Sequence, residues 1–186
     1  MNATALQGGF ADPAPQAARA FRAILRAMAR PGTVETIEGA APPAPLSRAA
    51  GAVLLTLCDA DTPLHLAGAA DTRDVRDWIG FHLGAPLAGP ERAAFAVGRW
   101  DDLRLADYPV GSPEYPDRST TLIVELDRLD PAGATLRGPG IRDTARLSLP
   151  EVAAFRANRA LFPLGLDFIL TCGDRLAALP RSTRVS

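Results

Sequence analysis

At 186 residues the chain has the length of one domain, large enough to bury about 70% of the surface its unfolded form would expose without help from a disulfide or a metal. An apolar fraction of 47% and a formal net charge of −1 exclude disorder and a bulk electrostatic grip on nucleic acid, so any anion site must be local. All 20 basic residues are arginine, which leaves no lysine to form an aldimine with pyridoxal phosphate or to act as base or nucleophile.

We expect a single domain over 1–186, with 1–11 as a flexible N-terminal segment. "MNATALQGGFADPAP" lacks a basic stretch followed by an apolar one, and no apolar run reaches the roughly 20 residues that span a bilayer. That pattern predicts a soluble, cytoplasmic protein without membrane contact.

In chain order, Asp12 can cap and Pro13 can open a first helix, with Ala17, Phe21, Ile24, Leu25 and Met28 on one face and "RPG" closing it. Arg19, Arg22, Arg26 and Arg30 gather into a stripe opposite that face. The stripe is either a solvated face or a surface for phosphates or an acidic partner, since guanidinium forks match both. "TVETI" (33–37) predicts a strand and "GAAPPAP" a loop; Ser47 then caps a helix whose Ala49, Ala50, Val53, Leu54 and Leu57 recur at helical period.

"DADTP" has turn composition, so Asp59 and Asp61 are read as bonding their own backbone rather than as a catalytic carboxylate pair. "LHLAG" predicts a strand, followed by a helix from about Asp71 to Leu83 that turns His82 toward the core side. His82 is either a core histidine or, one residue before a Gly turn in "FHLGAP", the edge of a pocket. "AAFAVG" (93–98) and "TTLIVEL" (120–126) predict strands around the long loop "DLRLADYPVGSPEYPDRS", a length often reserved for function.

"ATLRG" (134–138) is a further strand, and Ser148 with Glu151 forms a capping box for a helix from Leu149 to about Ala160. Leu166 to Cys172 is nearly all apolar, as befits a strand covered on both faces; Gly173 and Asp174 turn the chain into "RLAAL". Asp167 interrupts that run, and a buried carboxylate there requires a partner, either an arginine such as Arg181 or a helix N-terminus. Cys58 and Cys172 each end an apolar run and read as buried, inert thiols. Helices alternating with strands predict an α/β fold: a layered domain with a mixed β-sheet covered by helices.

The strong chemical signatures are missing. The chain has no G-x-x-x-x-G-K loop, no G-x-S-x-G elbow, no paired cysteines, and only His65 and His82, so no metal site and no catalytic set is assigned.

Taken in order, "GGFADP" (8–13), "FRAILRAMARPG" (21–32), "VLLTLCDADTPLHL" (53–66), "FHLGAP" (81–86), "YPDRSTTLIVEL" (115–126), "LRGPGI" (136–141) and "FPLGLDFILTCGDRLAALPRST" (162–183) resemble one family. It is the H subunit of the bacterial carbon-phosphorus lyase system for phosphonate breakdown, PhnH. The resemblance implies a reduced pyridoxal-phosphate-transferase large domain without the cofactor site, in keeping with the lack of lysine. It implies a subunit that works with G, I and J subunits, aided by an ATP-binding L subunit, in joining a phosphonate to the ribose of MgATP and releasing adenine. The product would be a ribose 1-phosphonate 5-triphosphate, with MgATP as substrate and a homodimer as the isolated state. The alternative is a self-sufficient transferase that binds a nucleotide or phosphonate. Within the family's motifs, Arg30 ("ARPG") and Arg181 ("LPRST") are the expected anion contacts, and His82 ("FHLGAP") and Asp117 ("YPDRS") the expected polar or proton-exchanging groups.

Overall fold

A computed structural model describes residues 6–186, so the first five residues of the segment expected to be flexible lie outside the described residues. From Gln7 onward that segment is docked: the Gln7 carbonyl accepts from Trp78 Nε1 at 3.1 Å, and the Gly8 carbonyl accepts from the Ala41 N–H at 2.9 Å. Gly8 has φ +84°, and a Cβ there would meet the Ala41 oxygen at 2.0 Å, so both the turn and the close approach require glycine.

Helix α1 runs from Pro13 to Ala29. Proline at its first position needs no N–H, and the Asp12 side chain does not cap it; instead the Asp12 N–H donates to Gln16 Oε1 at 2.8 Å. The buried stripe is Ala20, Ala23, Ile24 and Ala27, not the expected face, because small side chains let α1 lie close against α2 and β8. Phe21 and Leu25 are left about half exposed, at 50% and 55%.

Strand β1 (Glu35–Thr36) is shorter than predicted, and α2 (Arg48–Leu57) begins as predicted, with Ser47 Oγ accepting from the Ala50 N–H at 3.1 Å. Strand β2 (Leu64–Leu66) precedes α3 (Arg73–His82), which is capped by Thr72 and buries Val75, Trp78 and Ile79. Strands β3 (Phe95–Arg99) and β4 (Thr121–Glu125) flank the long loop, which contains two short 3₁₀ turns.

Two strands escaped sequence reading. Strand β5 (Ala134–Arg137) pairs with β6 (Ala145–Leu147), and the chain end returns after α4 (Val152–Ala160), β7 (Asp167–Cys172) and β8 (Arg175–Leu179) as β9 (Arg184–Val185). The capping box fails as well. Ser148 is tied to Asp130 in both directions, its N–H donating to the Asp130 carbonyl and its Oγ accepting from the Asp130 N–H, each at 2.9 Å, so α4 starts at Val152.

The main sheet is mixed, in the order β1-β8-β7-β4-β3-β2, with β2, β3, β4 and β7 parallel and β8 antiparallel to β7; β6-β5-β9 form a small antiparallel sheet. Register aligns Leu66, Val97, Ile123, Ile169 and Ala178 across five strands, all facing α1, α2 and α3. The neighbouring row, Ala96, Leu122, Phe168 and Leu179, faces the small sheet and α4. Burial on both faces is why these strands read as continuous apolar runs.

Candidate functional site

The carboxyl ends of β3, β4 and β7 open on one side of the sheet, the place where α/β folds commonly hold ligands. Two adjoining hollows lie there, of about 450 and 200 Å³, sharing Arg99, Glu125, Leu126 and Asp127. The larger extends over Trp100, Arg128 and Ser148; the smaller reaches Ser47 at the start of α2 and Gly98. Parallel pairing sets the last residue of β3 beside the last of β4, which brings Arg99 and Glu125 into register.

Glu125 is the chemical centre of this groove. Its Oε1 accepts from the Ser47 N–H at 2.6 Å, and its Oε2 lies 3.0 Å from the Thr171 hydroxyl on β7. Burial raises its pKa above the usual carboxylate range, while the bonds from Ser47 and Thr171 and the Arg99 charge pull the other way. A carboxyl held in that balance can accept or release a proton. Arg99 Nη2 pairs with Asp127 Oδ2 at 2.6 Å with both groups largely exposed, so the pair can open to a ligand anion at little cost. The Trp100 ring stacks on Phe155 at 5.0 Å between centroids, fixing the groove wall.

A second polar cluster sits at the edge strand β2. His65 Nδ1 lies 2.9 Å from Tyr108 Oη, and a hollow of about 210 Å³ includes His65, Asp71 and Arg76. Burial lowers the His65 pKa and pushes the Tyr108 phenol up to about 12. Among the described residues no group of three or more His, Cys, Asp or Glu side chains is placed to hold a metal ion.

The four residues singled out from the sequence fall in three neighbourhoods. Arg181 joins two of the motifs: its guanidinium donates to Asp167, to the Pro116 carbonyl and to Ser119 Oγ. With Nε and both Nη nitrogens bonded inside the fold, Arg181 is an anchor between "YPDRS" and the sheet. Asp117 lies beside that anchor, exposed on the loop. His82 is partly buried, its Nε2 3.2 Å from the Gln7 carbonyl and its ring against Trp78 and Phe81. A Cβ on Gly9 would meet the His82 ring at 2.6 Å, so His82 clamps the N-terminal "QGG" turn. Arg30 is exposed at the end of α1, where a Cβ on Gly140 of the "RGPG" turn would meet the Ala29 carbonyl at 1.9 Å.

Arg99 and Glu125 were not singled out from the sequence. The available signal was a charged residue closing each of two buried parallel strands, "FAVGR" and "TLIVE".

The chain matches the family model "Bacterial phosphonate metabolism protein (PhnH)" over residues 8–186. It is 42% identical, over 96% of its length and 94% of the relative's, to the alpha-D-ribose 1-methylphosphonate 5-triphosphate synthase subunit PhnH of Rhizobium meliloti (strain 1021). It is 32% identical, over 93% of its length and 87% of the relative's, to the putative C-P lyase subunit protein HtxG of Stutzerimonas stutzeri.

Proposed function

The chain belongs to the PhnH family of bacterial phosphonate metabolism proteins, and we propose that it is one subunit of a ribose 1-phosphonate 5-triphosphate synthase within the carbon-phosphorus lyase complex. The observation that carries this is the end-to-end 42% identity to a synthase subunit, which covers both chains almost entirely. In that reaction a phosphonate oxygen forms a bond to C1′ of the ribose of MgATP, the bond from C1′ to adenine breaks, and adenine leaves carrying a proton. MgATP is a substrate of the assembly, and the reaction needs no pyridoxal phosphate. The chain works with the G, I and J subunits in the cytoplasm, forms a homodimer on its own, and is not active alone.

The part of this chain best suited to touch a ligand is the groove at Arg99 and Glu125. An arginine at its mouth matches a phosphonate or triphosphate oxygen, and the Glu125 carboxyl can hold a proton next to it. Arg30, His82 and Asp117 remain proposed contacts at the family's motifs, Arg30 and Asp117 for partner or anion and His82 through the N-terminal turn it clamps.

The test is genetic and biochemical. A strain lacking its own H subunit should regain growth on methylphosphonate as sole phosphorus source when this chain is supplied with its G, I and J partners. A stable, soluble chain that neither restores growth nor co-purifies with them would overturn the proposal. The groove's charge also supports a second reading, a transferase that binds its own ligands. Heat released on titrating the isolated chain with MgATP or methylphosphonate would favour it.

A further inference from the structure

The outer face of α1 carries a strip of uncovered apolar side chains. Ala14, Ala18, Phe21, Leu25 and Ala29 are all exposed. At 100° per residue these five fall within an arc of about 80°. Phe21 and Leu25, at 50% and 55% exposure, are the large groups in it. The next arc of about 80° holds Arg22, Arg26, Arg19 and Arg30 in one row, between that strip and the core stripe of Ala23, Ala27, Ala20 and Ile24. Only Arg26 has a carboxylate within ion-pair distance among the described residues, Glu35 at 2.6 Å. The helix therefore presents an apolar strip bordered on one side by arginines, three of which have no such partner.

That asymmetry says what can cover it. If two copies paired antiparallel through this face about a two-fold axis perpendicular to the helices, both arginine rows would lie on the same side of the seam. Like charges placed together at an interface cost association free energy. A different chain with an apolar strip bordered by carboxylates meets the same face with favourable contacts throughout. We propose that the outer face of α1, with Phe21 and Leu25 as anchors and Arg19, Arg22 and Arg30 as the charged border, docks an acidic-bordered surface of another subunit of the phosphonate-processing complex. This rests on the subunit assignment above.

The test uses the full chain co-expressed with the G, I and J subunits of its own source. Three forms are compared: unmutated, F21S/L25S, and R19E/R22E. All substituted positions are exposed, so melting temperatures within about 2 °C of the unmutated chain confirm intact folds. Both variants should be depleted at least tenfold from the purified assembly, and the unmutated assembly should weaken as salt is raised. The mass of the isolated chain by light scattering should be the same in all three forms.

Folded variants that assemble as well as the unmutated chain would overturn the docking face while leaving the subunit assignment intact. Variants whose isolated particle falls from dimer to monomer would reassign the face to self-pairing and overturn the proposal. Failure of the unmutated chain to assemble at all would overturn the subunit assignment and this inference with it.

Discussion

Arg181 and Asp167 lie 14 residues apart in the chain yet form a closed joint: the Arg181 N–H donates to Asp167 Oδ1 at 2.8 Å, and its Nε lies 3.2 Å from both carboxylate oxygens. The side chains are only 14% and 17% exposed, and the same guanidinium reaches the Pro116 carbonyl and Ser119. One residue thus pins the long loop to the start of β7. Removing either charge strands the other in a poorly solvated place, so Arg181→Ala or Asp167→Ala should cost about 3 kcal/mol or more. Denaturant unfolding at neutral pH would check it; a loss under about 1 kcal/mol would mean the joint is dispensable.

Glu125 links the groove to pH. Its pKa is raised by burial, so the folded state holds that proton to higher pH than the unfolded chain does. The sign follows: with folded pKa above unfolded, its contribution to stability is greatest below the unfolded pKa and declines as pH rises through the folded one. Glu125→Gln, which keeps an acceptor for the Ser47 N–H, should melt higher than the unmutated protein at pH 8, with the difference shrinking toward pH 4. A gap that grows on acidification would reverse the assignment.

Arg99 stands at the mouth of the same groove, 54% exposed and paired with an Asp127 that is 82% exposed. Arg99→Ala should leave the melting temperature within about 2 °C, since exposed pairs contribute little. It should slow growth on methylphosphonate at least tenfold, measured with protein level held constant. Unimpaired growth would remove the groove from the function.

The two thiols differ in access. Cys58 is buried, and its pKa is pushed up to about 12, first by burial and then by the neighbouring Asp59 carboxylate, whereas Cys172 is partly exposed. A chromogenic disulfide reagent at pH 8 should label one thiol rapidly and the second only on unfolding, because the thiolate is the reactive form. Cys172→Ala should lower stability more than activity. Loss of activity in a fully folded Cys172→Ala protein would assign the thiol a chemical role.

Asn158 substitutes for secondary structure at the entry to β7. Its Oδ1 accepts from the Leu166 N–H at 2.8 Å and its Nδ2 donates to the Leu166 carbonyl at 2.9 Å. Asn158→Ala would leave both backbone groups buried and unpaired, at about 2–4 kcal/mol. Asn158→Asp, which sets a buried carboxylate oxygen against the Leu166 carbonyl, should be no more stable than Asn158→Ala at neutral pH; equal stability of all three would show that water replaces the amide.

Much of the main sheet was legible because its strands are covered on both faces: "TLIVE" and "DFILTC" leave no polar alternation to misread. Ser47 was legible as a cap because its partner is three residues away. In the small sheet only β5 was legible, as "ATLRG"; β6 and β9 were not, because "ARL" and "RV" are too short to carry a period and owe their pairing to distant segments. The need of Asp167 for a partner was legible, but whether an arginine such as Arg181 or a helix N-terminus would meet it was not, because that choice depends on which of them folding brings near.

Sequence alone determined the alternation of helices and strands, the absence of any lysine, and the ordered motifs that mark the family, since these depend on residues near one another in the chain. Tertiary structure decided which face of α1 is buried, that Ser148 serves Asp130 instead of α4, and that Arg99 and Glu125 share a groove. Each of those is a competition between a local partner and one brought near only by folding. The distant partner prevailed where it alone satisfied a buried backbone group or allowed close packing.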